Sequence, residues 1–267
     1  MTRIEKLALI EQMVAIARAA GQLVMEVYTG AFEVRAKEDA SPVTAADERA
    51  EALIVPALQE LLPGVPVVAE EAVAAGAVPE VGDSFWLVDP LDGTKEFITR
   101  NGEFTVNIAL IEQGVPVAGV VFAPALGRLF AGGTGVGAFV EDGAGRCEIT
   151  CRVPPAVGWT VLASRSHGDA AALDAFLAPY RVAELRSAGS SLKLCLVAAG
   201  EADVYPRLGR TMEWDIAAGH AVVMAAGGRV VELGGEPLAY GKPGFDNPHF
   251  AAFGRGIEAL PFIGKTQ

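Results

Sequence analysis

The sequence is poor in the residues that mark secreted or zinc-binding proteins. It has three cysteines and three histidines in 267 residues. An odd cysteine count provides no disulfide framework and is typical of a reducing compartment, so we expect a cytoplasmic protein. Cys147 and Cys151 are four positions apart, but no further cysteine or histidine pair follows at finger spacing. A zinc site is therefore not indicated, and small buried or strand residues are the simpler interpretation.

Basic residues and long apolar runs are also scarce. Lys and Arg number 21 against 33 Asp and Glu, a net charge of −12. Such a chain repels phosphate backbones, so we predict no nucleic-acid partner, and a phosphorylated ligand would need a metal or a local basic pocket. No stretch of eighteen apolar residues is free of charge, and charges begin at Arg3. We predict neither a signal peptide nor an integral membrane segment, and leave open a peripheral attachment at the inner face of the membrane.

Hydrophobic residues make up 51% of the chain and charged residues 20%, enough for a sizeable core. Apolar periodicity predicts helices over residues 3–28 and 45–62. Short apolar runs divided by glycine-containing turns then predict an antiparallel meander over 104–140. From residue 159 strands and helices alternate. With a linker at Pro154-Pro155, we predict an α+β domain over residues 1–152 and an α/β domain over 153–267.

The densest chemical signal is the segment 89–94, Asp-Pro-Leu-Asp-Gly-Thr, at the end of an apolar strand. Pro90 restricts the backbone between the two aspartates, and Gly93 allows a ligand to approach the backbone closely. A short helix beginning at Thr94 would direct its first amides at the same space. Carboxylates bind a hard cation and such amides bind a phosphate oxygen, so this outline fits a metal and phosphate site. An ordinary Asx turn that caps a helix explains the spacing equally well.

Three further acids stand at element ends. Glu70 ends a short strand, and if that strand runs parallel to the next one, Glu70 lies near Asp89; a solvated glutamate is the alternative. Asp215 suits a helix N-cap and is also well placed to reach a metal. Asp47 is three residues after Thr44, which is the pattern of an acidic capping box.

Together these residues resemble the signatures of the inositol monophosphatase superfamily, which are magnesium-dependent, lithium-sensitive phosphomonoesterases. The resemblance covers essentially the whole chain and rests on Glu70-Glu71, the 89–94 segment, and the segment 214–219, Trp-Asp-Ile-Ala-Ala-Gly. Ala69 departs from the pattern, because many relatives have glycine before the two glutamates. The fold that this implies is a layered α-β-α-β-α sandwich of the sugar-phosphatase type.

Finer motifs resemble the 3′(2′),5′-bisphosphate nucleotidase branch, of the bacterial CysQ type. They are Lys95-Glu96-Phe97 and the segments 100–107, 164–167, 189–193 and 205–207. The implied substrate is adenosine 3′,5′-bisphosphate, hydrolysed to AMP and phosphate, and its 5′-phosphosulfate analogue is a second candidate. The alternatives are an inositol monophosphatase or broad sugar phosphatase and, in another class, a non-catalytic phosphonucleotide-binding regulator.

The resemblance also implies roles for individual residues. Glu70, Asp89 and the Leu91 carbonyl would bind a first Mg²⁺, and Asp89, Asp92 and Asp215 a second. A third, weaker ion would reach Glu70 through water, and Mn²⁺ is an acceptable substitute. Asp47 and Thr94 would orient and deprotonate the attacking water, with Glu70 also in the catalytic set.

The substrate would contact residues of both halves. The implied set is Glu70, Leu91, Asp92, Gly93, Thr94, His167, Ser190, Lys193, Arg207 and Asp215. In the second half, Ser190 and Ser191 stand at the start of a predicted helix with Lys193 one turn in, which favours a second anion site. Lys193 and Arg207 would contact the non-scissile phosphate and His167 the nucleotide; an ordinary cap, solvated cations and a surface turn are the alternatives. Four carboxylates against two Mg²⁺ leave the loaded site near neutral, and we expect a monomer or a homodimer.

Overall fold

The computed structural model describes residues 1–36, 42–164 and 170–257 as two mixed β-sheets layered between helices. The helices are α1 (Arg3–Thr29), α2 (Ala45–Leu61), α3 (Glu70–Ala74), α4 (Thr94–Ile98), α5 (Ala170–Leu177), α6 (Leu192–Ala198) and α7 (Glu213–Ala225). Two short strands, β1 (Val34–Ala36) and β2 (Pro42–Thr44), pair antiparallel.

The first sheet has seven strands in chain order. They are β3 (Val67–Ala69), β4 (Ser84–Asp92), β5 (Thr105–Glu112), β6 (Val115–Ala123), β7 (Arg128–Gly133), β8 (Gly137–Asp142) and β9 (Gly145–Ile149). The β3–β4 pair is parallel and every other pair is antiparallel, which confirms the predicted meander.

The second sheet has the order β11-β10-β12-β14-β13. Its strands are β10 (Trp159–Ser164), β11 (Val182–Ala188), β12 (Val204–Arg207), β13 (Arg229–Glu232) and β14 (Phe250–Phe253). β10 runs parallel to β11 and β12, and β14 runs antiparallel to β12 and β13.

Alternating side chains of each strand separate the layers. On β4, Trp86 and Val88 pack in the cluster formed with α1 and α2, whereas Phe85 and Leu87 pack in the cluster formed with α6 and α7. Both faces of this sheet are therefore buried, as its near-continuous apolar strands require. Phe176 of α5 covers the far face of the second sheet. The order is α1/α2, first sheet, α6/α7, second sheet, α5, which confirms the expected five-layer sandwich.

Five strands escaped the sequence patterns: β1, β2, β9, β11 and β14. The strand predicted over 85–88 also runs on through Asp92, so the two aspartates lie within a strand rather than after it. The division at residues 152/153 stays a prediction. The two sheets do fall on either side of it, but α6 and α7, from the second half, pack against the first sheet as well.

Within the described residues, α1 is long and apolar enough in composition to cross a membrane. Core helices satisfy the same criterion. Nine of its residues are buried, including Met13, Ala17 and Val24, and they pack on the first sheet with α2. The expectation of no membrane-spanning segment is supported by this packing and remains a prediction.

Candidate active site

Parallel pairing brings the first two acids together. Ala69 at the end of β3 pairs with Val88 of β4, so the residues that follow, Glu70 and Asp89, lie side by side. Asp215, in the first turn of α7, joins them across the layer boundary. One ligand oxygen from each of Glu70, Asp89 and Asp215 lies within 4.8 Å of the others. The parallel arrangement that the sequence left conditional is therefore the one observed.

Asp92 reaches the same cleft because β4 is irregular there. The β4–β5 register shifts between Asp89 and Asp92, where Pro90 has no amide hydrogen to donate. Asp92 Oδ2 accepts a hydrogen bond of 2.5 Å from the backbone N–H of Ser191. Gly93 then takes a left-handed φ of 91° at the start of α4, a conformation that glycine adopts without strain.

The Asx turn, which was the simpler interpretation of the 89–94 segment, is also present. The Leu91 N–H donates to Asp89 Oδ1 at 3.0 Å, which is an Asx turn. Thr94 Oγ1 donates to the Leu91 carbonyl at 3.4 Å. The Asx turn and the clustered acids coexist, since the turn uses only one oxygen of Asp89.

Each aspartate of the site is held by one oxygen. Oδ2 of Asp47 accepts from Thr44 N and Thr44 Oγ1, both at 2.8 Å, and Oδ2 of Asp215 accepts from Met212 N at 2.9 Å. Both acids are third residues of their helices, so Asp215 is not the N-cap that the sequence suggested. Together with the bonds to Asp89 and Asp92, this pattern leaves one oxygen of each aspartate without a hydrogen bond within the described residues.

Burial and mutual repulsion disfavour the ionised forms of these acids when no cation is bound. Burial, together with the charges of Glu70 and Asp92, raises the pKa values of Asp89 and Asp215 well above the ordinary value. Burial raises the pKa values of Asp92 and of Asp47 to about 6. A divalent cation removes this penalty, and the donor set is entirely oxygen, which Mg²⁺ and Mn²⁺ prefer. The residues present therefore fit a hard divalent metal.

Glu70, Asp89, Asp92 and Asp215 line a cavity of about 500 Å³ to which further residues of the second half contribute. Asp47 is not among the residues that line it. Gly93, Thr94 and Ser190 face this cavity, as do Lys193 and Arg207. His167 lies outside the described residues. Glu70, Asp92, Asp215 and the predicted second-half residues other than His167 thus share one space.

Lys193 and Arg207, which line the cavity, are buried rather than solvated. Lys193 is 4% exposed and Arg207 is 8% exposed. Lys193 Nζ donates to the Ser190 and Ala188 carbonyls at 2.6 and 3.2 Å and lies 5.2 Å from the Tyr205 ring centroid. Burial lowers the pKa of Lys193 to about 8. An ammonium has three donors, so one remains for an anion.

Arg207 is fixed by the backbone in the same way. Its Nε and Nη2 donate to the Gly209 and Arg210 carbonyls at 3.2 and 2.6 Å, and Nη1 donates to Ser164 Oγ at 3.2 Å. Three of its five N–H groups are thus used. The guanidinium is preorganised with donors to spare, which suits phosphate recognition.

Tyr205 had no signal as a single position. It lines the cavity, yet it was quoted only as part of a motif and given no role. Its side-chain direction on β12 decided its position, which is not readable from spacing. Ser191, predicted with Ser190 to form an anion site at a helix start, also lines the cavity. His220, which was given no site role, is buried on α7 with Nδ1 2.8 Å from Tyr240 Oη. The three cysteines are free.

Comparison with known proteins now defines the class. Residues 5–260 match the inositol monophosphatase family, and the chain belongs to that family. The relatives include the 3'(2'),5'-bisphosphate nucleotidase CysQ of Salmonella typhimurium, 48% identical over 91% of this chain and 98% of that protein. The CysQ nucleotidase of Escherichia coli strain K12 is 47% identical over the same shares.

Solved structures agree. CysQ from Bacteroides thetaiotaomicron is similar with a TM-score of 0.78 and 38% identity, covering 92% of this chain and 96% of that one. The inositol monophosphatase from Anabaena has a TM-score of 0.74 and 25% identity, covering 94% and 91%. Of these two structures, CysQ has the higher sequence identity to this chain.

Proposed function

We propose that this chain is a metal-dependent phosphatase that removes the 3′-phosphate of adenosine 3′,5′-bisphosphate to give AMP and phosphate. The observation that carries the proposal is the composition of one cavity. Three of its acids, Glu70, Asp89 and Asp92, come from the first half, and the second half adds Asp215 and two buried cations, Lys193 and Arg207. A ligand with one phosphate at the acids and another at the cations satisfies both groups. The CysQ nucleotidases at 47–48% identity support this choice.

The acids hold the metal in this proposal. Glu70, Asp89 and the Leu91 carbonyl would form one Mg²⁺ site, Asp89, Asp92 and Asp215 would form a second, and Glu70 would reach a third, weaker ion through water. Magnesium bound there supplies charge neutralisation for the phosphate and lowers the pKa of water. A metal requirement is a property of the family, whereas these ligand sets and the ion count are our proposal.

The remaining residues would accept a proton or hold the substrate. Asp47, 2% exposed and hydrogen bonded to Thr44, is proposed to accept the proton of the attacking water together with Thr94. The first amides of α4, at Gly93 and Thr94, would hold the scissile phosphate. Ser190, Lys193 and Arg207 would hold the other phosphate, and His167 stays a predicted nucleotide contact.

Cellular location and oligomeric state are also part of the proposal. Three free cysteines favour the cytoplasm. A monomer or homodimer remains the prediction. No observation supports attachment at the membrane face.

The test is phosphate release with Mg²⁺ from three substrates at matched low concentrations: adenosine 3′,5′-bisphosphate, inositol 1-phosphate and fructose 1,6-bisphosphate. We expect a preference of about a hundredfold for the nucleotide, which corresponds to about 2.7 kcal/mol of transition-state discrimination. Comparable rates on all three substrates would support the metal-dependent hydrolysis but contradict the proposed nucleotide specificity. No release from any of them would favour a binding protein.

A further inference from the structure

Three polar side chains outside the acidic cluster form a buried network where the two halves meet. Thr105 and Asn107 lie on β5, and Ser191 immediately precedes α6. Their exposed fractions are 0%, 0% and 4%. Ser191 Oγ donates to Asn107 Oδ1 at 2.7 Å and lies 2.8 Å from Thr105 Oγ1. Hydrogen bonds in so dry an environment strongly restrict the groups that make them.

The β4–β5 register places this network opposite the metal-binding aspartates. Asp89 pairs with Asn107, and Asp92 pairs with Thr105. Directly opposed residues of an antiparallel pair share one face of the sheet. Ser191 closes the arrangement, because its backbone N–H donates to Asp92 Oδ2 while its hydroxyl contacts both opposed residues. Asn107 Nδ2 is buried and has no hydrogen-bond partner in the part of the chain that the structure describes.

The turn that carries Ser191 is held from several sides. Gly189 N–H donates to Glu103 Oε2 at 2.8 Å, and a Cβ at Gly189 would lie 2.7 Å from the Glu103 carbonyl oxygen. Ser190 has a left-handed φ of 45°, unusual for a residue with a side chain. Such a conformation persists only where its surroundings over-determine it. The same turn presents Ser190 and Lys193 to the cavity.

We propose that Thr105, Asn107 and Ser191 are positioning residues that fix Asp92 for a divalent cation and couple cation binding to the turn at 189–191. Asp92 Oδ2 is committed to Ser191, so the network determines the direction in which Oδ1 points. Loss of the Thr105 hydroxyl removes one of the two hydrogen bonds that hold the Ser191 hydroxyl, and so loosens the group that orients Asp92. Groups that orient metal ligands typically alter metal affinity by about 10–100-fold when removed. The metal site belongs to the proposed function, but the cation affinity can be measured without the nucleotide.

The experiment is titration of the metal-stripped full chain with Mg²⁺ alone, by calorimetry. Thr105→Val removes the hydroxyl at nearly constant shape, and we expect it to raise the Mg²⁺ dissociation constant about tenfold. Thr105→Ser keeps the hydroxyl and should stay within about twofold of the unsubstituted chain. Thr160→Val is the matched control, because Thr160 is a buried threonine of the second sheet whose hydroxyl accepts from Arg152 at 2.8 Å.

Each outcome decides the matter. A folded Thr105→Val chain with unchanged Mg²⁺ affinity overturns the proposal, as does an equal loss of affinity in Thr160→Val, which would indicate a general stability effect. If Thr105→Val does not fold, Ser191→Ala, which retains the backbone N–H, carries the same expectation. A chain that binds Mg²⁺ normally but does not hydrolyse the nucleotide contradicts the proposed function and leaves this test intact.

Discussion

At the scale of single residues, the acidic cluster is a set of buried, closely spaced carboxylates whose charged forms are unfavourable when no cation is bound. Asp89 is 1% exposed and lies beside Glu70 and Asp215. Burial and these like charges raise its pKa well above the ordinary value. The folded chain therefore stores an electrostatic cost that a bound cation offsets, and substitution at this position separates function from stability.

Asp89→Asn should abolish turnover, because Asp89 is proposed to contact both cations. Since the substitution removes one buried charge from a repelling group, the metal-free variant should unfold at a higher temperature than the unsubstituted chain at about pH 8. Phosphate release and thermal unfolding in chelator measure the two effects. Glu60→Gln, at an exposed carboxylate, is the control and should change neither. Unimpaired turnover by Asp89→Asn would refute the metal assignment.

Lys193→Ala should lower kcat/KM for the bisphosphate nucleotide by about tenfold or more and affect a sugar monophosphate less, because only the former carries a second phosphate. Lys95→Ala is a matched comparison, since Lys95 lines the same cavity but is exposed. Burial lowers the pKa of Lys193 to about 8, so the KM for the bisphosphate should rise as the pH passes upward through that value. Equal losses of kcat/KM on both substrates would show that Lys193 does not determine substrate specificity.

At the scale of elements, the site depends on how closely α7 approaches the first sheet. Gly119 of β6 makes this approach possible, because a Cβ there would lie 2.4 Å from the Ala218 carbonyl oxygen and 2.8 Å from the Ala221 Cβ. The helix that rests on Gly119 carries Asp215 in its first turn. Packing in the middle of the sandwich therefore sets the position of a metal ligand.

Gly119→Ala should force α7 away from β6 and shift Asp215. We expect a loss of about 1–3 kcal/mol in the free energy of unfolding, from overpacking, and weaker Mg²⁺ binding. Denaturant unfolding and Mg²⁺ titration test this. Gly143→Ala, at a glycine with nothing within 4 Å of the added Cβ, should leave both unchanged. Undiminished Mg²⁺ affinity in a destabilised Gly119→Ala chain would show that the packing of α7 on β6 does not set the position of the metal ligand.

At the scale of the whole molecule, metal and protons compete for the same oxygens. Burial raises the pKa values of Asp47 and Asp92 from 3.8 in the reference state to about 6 in the folded chain. The stability they contribute without metal is fully present below the unfolded pKa and is lost as the pH rises through the folded one. Buried His220 acts oppositely, since burial lowers its pKa to about 3 and protonation of the unfolded state destabilises the fold below about pH 6.5.

The rise in unfolding temperature on adding Mg²⁺ should therefore be larger at about pH 8 than at about pH 5.5, where protons occupy the carboxylates. Thermal unfolding with and without chelator at both pH values measures this. Asp92→Asn should reduce the difference by several degrees, because it removes both a proposed ligand and a titrating carboxylate while it retains His220. A magnesium effect that does not vary with pH would contradict the raised pKa values.

Local patterns were sufficient to predict much of this protein. Asp47 was predicted from a capping box and Asp92 from its spacing after Pro90, because both depend on neighbours within a few residues. The helix periods and the meander followed from apolar spacing for the same reason. The family resemblance added the roles, but it could not place a side chain.

Tertiary structure decided what depends on distant contacts. The parallel pairing of β3 with β4 that joins Glu70 to Asp89, the burial of Lys193 and the Ser191 network all link segments far apart in the chain. β1, β2, β9, β11 and β14 escaped for a related reason: short strands take their identity from the neighbour they pair with. The sequence by itself determined which acids and cations are present and their local turns, and only the packing of two sheets around α6 and α7 determined that they face one cavity.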